Sequence, residues 1–363
     1  MKPLYRIIME ELTSLINSGS YRPNEKLPSE SELMNKYNTS RITVTRALRE
    51  LELKGLIYKI KGKGSFVSSR KSRDSKIISL VLPHKEGFFS GGQQYIRSIT
   101  SASNKKGYLC SVHYSEQSSA KERLILEDLE RHEVSGVILY PIDNRNIDII
   151  SKLSIESFPI TLLDRPLQEL ELPVVVSENR EGAKSAVNYI LENGHKNIAF
   201  IGVLDAESAV ERYKGYCNAL IDFGFPIDPN FIYTAYPCEP EDDQAVLSAC
   251  GAGELVESMM NQGVTACFCV NDLSAYRIAD AASSAGLRVP DDLSIAGFDN
   301  MLYLNELGIE LTSVAQNYEK IGYHSVDLLV SLIENPSYTV KDIPSRVNVE
   351  TELIKGSTVK KIN

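Results

Sequence analysis

No two of the six cysteines stand in a C-x-x-C pair, and only five histidines occur in 363 residues. That spacing excludes the zinc ribbons and thioredoxin-like sites that such pairs build. Cys110, Cys217, Cys238 and Cys250 are scattered. Cys267 and Cys269 lie two apart, on one side of a strand, so all six read as free thiols and no metal site is expected. No apolar run approaches the roughly 20 residues of a membrane span. The first twenty residues alternate charge with apolar positions where a secretory signal has an unbroken apolar core, so a cytoplasmic protein is expected. There is no P-loop, no G-x-G-x-x-G after a strand and no G-x-S-x-G. With so few histidines, acid–base chemistry would rest on carboxylates alone. The expectation is a binding protein rather than an enzyme, with no catalytic residue and no cofactor.

The charge is negative overall, −9, but unevenly placed. Residues 1–73 hold 15 Lys+Arg against 7 Asp+Glu, a net of +8, so the remainder carries −17. A polyanion such as DNA is repelled by a uniformly acidic protein but attracted to a local basic patch. The length suits two or three domains.

In the basic part, Leu4, Ile7, Ile8, Leu12, Leu15 and Ile16 recur at helical spacing, predicting a helix over about 3–18 that ends at Gly19. Ser29, with Glu32 three residues on, is a capping box for a second helix. Ser40 caps a third, from about Arg41 to Lys54 and closed by Gly55. In that helix Val44, Ala47, Leu48 and Leu51 form the apolar stripe, and at about 100° per residue Ile42, Arg46 and Arg49 face the other way. Two short β-type runs around Gly62-Lys63-Gly64 then read as a hairpin. Three helices and a basic-tipped hairpin make a winged helix-turn-helix over residues 1–68, with 69–76 a polar linker.

The stretch "LPSESELMNKYNTSRITVTRALRELELKGLIYKIKGKGSFV" resembles the GntR family of bacterial regulators along about the first 70 residues. The resemblance implies DNA contacts from Glu30, Ser40, Arg41 and Thr43, with Lys63 at the wing tip. That family places arginine directly after its "TV" pair. Here Thr45 stands at that position and Arg46 follows, so both join the candidate DNA-binding residues and the part played by Arg46 is open.

Residues 77–363 alternate β-type runs with amphipathic stretches. The runs are 77–83, 108–114, 136–141, 160–164, 174–178, 198–203, 266–272 and 293–299. Continuous apolar strands between helices predict parallel sheets covered on both faces, and the length predicts two lobes of doubly wound α/β structure. Ligands of such sheets bind at strand carboxyl ends. Those ends carry Asp164 and Arg165, Glu178, Asn271 and Asp272, and Asp299 and Asn300. Each alone reads better as a helix cap, but together they suggest a shared pocket.

The segments "TLLDRP", "VVSENREGAKSAVNYILENGHKNIAFIG", "CVNDLSAYRIADAASSAGLRVPDDLSIAGFDN" and "LTSVAQNYEKIG" resemble the LacI family of sugar-responsive repressors and the periplasmic sugar-binding proteins, whose type I fold is two-lobed. The resemblance implies effector contacts from Asp164, Arg212, Asn271, Asp272, Asp299 and Gln316, joined by Phe88 and Phe89 from the first strand-to-helix loop. Hydroxyl-rich ligands need such acceptors, and several carboxylates repel an anion, so a neutral monosaccharide is expected. His195 reads as a structural helix-end residue. A GntR-type reader joined to a LacI-type sensor is the arrangement of the arabinose-responsive repressors of Gram-positive bacteria, which makes L-arabinose the leading effector. The expected partners are double-stranded operator DNA, a sugar and a second copy of the chain, with no membrane. A regulator of another small effector and a sugar-processing enzyme are the alternatives. A transport binding protein is disfavoured by the basic reader and by the lack of a signal segment.

Overall fold

The structure, a computed structural model, describes residues 3–17, 20–22, 24–53, 56–60, 62–67, 75–84, 91–129, 134–204, 206–234, 251–301, 310–335, 338 and 341–362. The basic module folds as α1 (Leu4–Asn17), α2 (Glu30–Tyr37), α3 (Arg41–Leu53), β1 (Ile57–Ile60) and β2 (Gly64–Val67). The capping box forms as the sequence predicts: Ser29 accepts from the Glu32 amide, and Glu32 accepts from the Ser29 amide at 2.7 Å. Asn38, left-handed at φ 45°, ends α2. The stripe of Val44, Ala47, Leu48 and Leu51 is buried against Ile8, Leu12, Leu33 and Ile57. Burying each of the valine and leucine side chains stabilises the module by about 1.5–3 kcal/mol, and the Ala47 methyl by less. β1 and β2 pair antiparallel, Ile57 opposite Val67. Gly62 and Gly64 take positive φ on either side of Lys63, a turn that glycine enters without a Cβ clash.

Beyond it lie two three-layered lobes. Lobe one is built from β3 (Ile77–Leu82), α4 (Gly92–Lys105), β4 (Leu109–Tyr114), α5 (Ser119–Leu129), β5 (Gly136–Leu139), α6 (Ile147–Ile155), β6 (Ile160–Leu163) and β7 (Val174–Ser177). Lobe two follows with α7 (Asn179–Glu192), β8 (Ile198–Ile201), α8 (Glu207–Asp222), β9 (Ile232–Tyr233), α9 (Ala252–Asn261), β10 (Ala266–Cys269), α10 (Asp272–Ser284), β11 (Ser294–Asp299) and β12 (Thr312–Gln316). The chain then returns to lobe one for α11 (Tyr318–Glu334) and β13 (Arg346–Val349), and ends in lobe two with β14 (Thr351–Ile354).

The sheet orders are β13-β7-β6-β5-β3-β4 and β14-β12-β11-β10-β8-β9. Alternate residues of β5 and β6 serve opposite layers. Ile138 and Leu163 pack under α4 and α11, whereas Val137 and Leu162 pack on α5 and α6. In lobe two, α7 and α8 cover one face and α9 and α10 the other.

Every strand expected from the sequence is present, and β9, β12, β13 and β14 are additional. One expectation needs correction: the second sheet is not wholly parallel, because β14 runs antiparallel to β12. The reason is the route of the chain. It crosses between lobes at 177–179, 316–318 and 349–351. β12 runs toward this hinge, whereas β14 starts from it and must run away.

Candidate functional site

The carboxyl ends of both sheets converge on a cleft of about 360 Å³ whose lining includes Tyr140, Asp164, Arg165, Arg212, Asn271, Arg277, Asp299 and Gln316. Its centre is a hydrogen-bonded network spanning the hinge. Arg212, from α8, is buried over the Phe298 ring at 3.7 Å. Its Nε donates to Asn179 Oδ1 at 2.8 Å and its Nη1 to the Val270 carbonyl at 2.7 Å, while Nη2 pairs with Asp299 Oδ1 at 3.1 Å. The same Asp299 oxygen accepts Gln316 Nε2 at 2.7 Å. Gln316 Oε1 in turn accepts the Ser177 hydroxyl at 2.6 Å and the Tyr95 hydroxyl at 3.4 Å. In lobe one, Tyr140 donates to Asp164 Oδ2 at 2.7 Å.

Among the described residues of this region, Asp164 Oδ1, Asp299 Oδ2 and the Tyr318 hydroxyl are buried without a partner. A buried acceptor left unpaired costs about 1–3 kcal/mol, and more when charged. Asp164 and Asp299 also hold left-handed backbone, φ 60° and 106°. For a non-glycine residue, backbone in such sparsely populated regions stores about 1–3 kcal/mol of strain. Burial pushes the Asp299 carboxyl up from its ordinary value, opposed by the Arg212 charge. Burial and the neighbouring Asp164 raise Tyr140 well above its ordinary value, so it remains a donor. Strain and unpaired acceptors on facing lobes suit a ligand that donates hydrogen bonds.

In the basic module, Arg41 projects from the first turn of α3 and donates from Nε to Glu30 Oε2 at 3.0 Å. The Ser40 hydroxyl caps the Thr43 amide at 3.4 Å and meets the Thr43 hydroxyl at 3.0 Å. Thr45 is half-buried, and Ile42 and Arg49 are exposed. Arg46 lies over the Tyr5 ring of α1, 4.0 Å from its centroid. Lys63 is exposed at the hairpin turn.

Residues 4–67 match the family described as bacterial regulatory proteins, gntR family, and residues 187–359 match the periplasmic binding protein-like domain. The basic module is thus similar to the gntR family, and the second module to the periplasmic binding protein-like domain. An arabinose metabolism transcriptional repressor of Geobacillus stearothermophilus is 28% identical to this chain, across 99% of it and 98% of that protein. A repressor of the same name from Halalkalibacterium halodurans is 25% identical, across 92% and 90%. Among solved structures, a transcriptional regulator CelR–cellobiose complex superposes with a TM-score of 0.67 at 22% identity, covering 88% of this chain and 90% of that chain.

The fold brings Asp164, Arg212, Asn271, Asp299 and Gln316 to one cleft. Phe88 and Phe89 lie outside the described residues. Asn271 spends its side-chain oxygen capping α10, accepting the Ser274 amide at 2.9 Å, so the capping reading applies to it as well. Asp272, expected beside it, is set back from the cleft. It accepts the Ser313 hydroxyl at 2.5 Å and the Met301 amide at 2.7 Å, and its Oδ1 packs where a Cβ on Gly297 would stand. Its place one residue inside α10 turns it under β11 instead of outward. Glu178 also lies away from this cleft, in a neighbouring groove. His195 is structural: buried, it bonds Thr265 Oγ1 at 2.9 Å and the Lys360 carbonyl at 3.0 Å. The Cys267 and Cys269 sulfurs face each other at 4.0 Å as free thiols, while Cys238 and Cys250 lie outside the described residues.

Sequence reasoning missed Tyr95, Tyr140, Ser177, Asn179 and Tyr318. Tyr140 and Ser177 carried the signal, since both stand at strand carboxyl ends. Tyr95 reads from periodicity as an ordinary core residue of α4.

Burial, reinforced by the nearby Asp299 charge, pushes the Asp272 carboxyl up to about 8 from 3.8. The folded state thus keeps a proton that the unfolded chain releases. This contribution to stability is fully present below about pH 4 and is lost as pH rises through about 8. In thermal unfolding of an Asp272→Asn variant, that decline between pH 4 and 8 is expected to flatten relative to the parent. An unchanged pH dependence would show that Asp272 is ionised in the folded protein.

Proposed function

We propose that this protein is a sugar-responsive transcriptional repressor that reads operator DNA with α3 and binds a neutral monosaccharide in the interlobe cleft, with L-arabinose the first candidate. The observation that carries the reading of the ligand is the pair of unpartnered carboxylate oxygens, one on each side of the cleft. A sugar's hydroxyls donate to both and so draw the lobes together. The charge balance is less decisive than the sequence suggested. With Asp272 set back, the described lining holds three arginines, Arg165, Arg212 and Arg277, against two carboxylates, Asp164 and Asp299. The argument therefore rests on acceptors that need donors.

Closure about the three crossings would change the relative placement of two reading heads in a homodimer bound to a pseudo-palindrome, with half-sites one helical turn, about 10 bp, or a multiple apart. Names carried by relatives across nearly the whole chain support both the repressor reading and arabinose. The test is a thermal-shift comparison of L-arabinose, other neutral monosaccharides and a sugar acid, followed by calorimetry of the stabilising sugar with and without DNA. A ligand bound only by the folded state raises its stability by mass action. Sugar and DNA are expected to change each other's affinity by the same factor. Independent binding would overturn the repressor mechanism, and stabilisation by the sugar acid alone would overturn the neutral ligand.

A further inference from the structure

The outward face of α3 carries an unexpected residue at its most forward position. Ile42 is 81% exposed, the most open large apolar side chain among the described residues. No core duty accounts for it, since the opposite face of the helix, Val44, Ala47, Leu48 and Leu51, supplies the packing. Helix propensity does not account for it either, because a β-branched residue is a poorer helix former than lysine, glutamine or alanine. Single exposed apolar residues are common on proteins. The distinguishing feature is place: Ile42 stands in the first turn of the third helix, beside Arg41, in a module with an excess of positive charge. In a helix-turn-helix the first residues of that helix approach the base edges. Arg46, one turn further on the same face, is held back over Tyr5. Arg41 and Ile42 are therefore left at the front.

We propose that Ile42 is a specificity-determining residue that packs on the 5-methyl group of a thymine in the major groove. That methyl is the apolar mark separating thymine from every other base edge there, and an aliphatic side chain recognises it by excluding water. Arg41 is suited to a guanine O6 and N7 through its fork, and its bond to Glu30 fixes the guanidinium. The adjoining pair would then read neighbouring positions by different chemistry, one polar and one apolar.

This inference rests on the DNA-reading proposal, and the experiment separates the two. Full-length protein is used to select binding sequences from a pool of random DNA duplexes. The selected duplex is then resynthesised with deoxyuridine at each thymine in turn, which removes one methyl and nothing else. At one or more thymines the parent protein is expected to lose about fourfold in affinity, the factor for one methylene-sized group kept from water. An Ile42→Ala variant, its folding checked by circular dichroism, is expected to bind thymine and uracil forms equally at those positions. A selected sequence whose uracil forms all bind the parent as tightly as thymine overturns the role of Ile42, as does a methyl effect that persists in Ile42→Ala. If no sequence is enriched, the DNA-reading function itself fails, and Ile42 with it.

Discussion

An Asp299→Ala variant is expected to lose at least about a hundredfold in affinity for the stabilising sugar while binding DNA as the parent does. The side chain has two duties. Oδ2 is buried without a partner and is the ligand-facing acceptor we propose, and a hydrogen bond to a charged group contributes about 1.5–3 kcal/mol. Oδ1 neutralises Arg212 and accepts from Gln316, so removing it leaves a buried guanidinium without its carboxylate and a hinge amide without its acceptor. Breaking a buried pair on one side costs about 3–5 kcal/mol, so a lowered melting temperature is also expected. Asp299→Asn separates the duties. Asparagine tolerates the positive φ nearly as well as aspartate and keeps an acceptor, but removes the charge. An Asn variant that melts lower yet binds sugar would show that the charge serves Arg212 and that the ligand needs only an acceptor there. Normal sugar affinity in the Ala variant would remove Asp299 from the binding site.

The second large effect is expected on DNA. Arg41→Ala should weaken binding to a selected duplex by about tenfold to a hundredfold, the worth of one bidentate arginine–guanine contact, and relax the sequence preference at one position. The variant also frees Glu30, whose carboxylate now holds the guanidinium, to repel phosphates. Arg41→Lys should recover little, because an ammonium keeps the charge but not the fork. Equal loss on selected and unrelated duplexes would make Arg41 a phosphate contact instead of a base reader. Both arms are read by fluorescence anisotropy at fixed salt, since phosphate contacts are strongly salt-dependent.

The fold of the basic module was legible nearly residue by residue. Ser29 and Glu32 announce a capping box that forms, and the Val44, Ala47, Leu48 and Leu51 spacing announces the buried side of α3. Both are local patterns in which the partner lies within one or two turns. The eight expected strands were legible for a similar reason: a strand buried on both faces must be apolar throughout, whatever it pairs with. Strands β12, β13 and β14 were harder, because "TSVAQ", "RVNV" and "TELI" mix polar and apolar residues near the hinge and at sheet edges.

In the cleft, strand ends pointed to the neighbourhood of Asp164 and Asp299, since sheet geometry fixes where a strand stops, whereas Gln316 followed only from the family resemblance. Whether a side chain there faces the cleft or the layer beneath depends on one step of helical rotation. Neighbouring Asn271 and Asp272 accordingly part company.

By itself, then, the sequence determined the elements, their caps, the basic reading module and the polar rim of the lobes, because each follows from contacts with water or with nearby residues. Tertiary structure decided which lobe each late strand joins, that the chain crosses the hinge three times, that Arg212 is saturated by Asn179, Val270 and Asp299, and that Arg46 turns back onto Tyr5. Those outcomes depend on partners from tens of residues to well over a hundred away in sequence, as Arg346 opposite Val174 shows, and on which of them reaches a side chain first once the layers have packed.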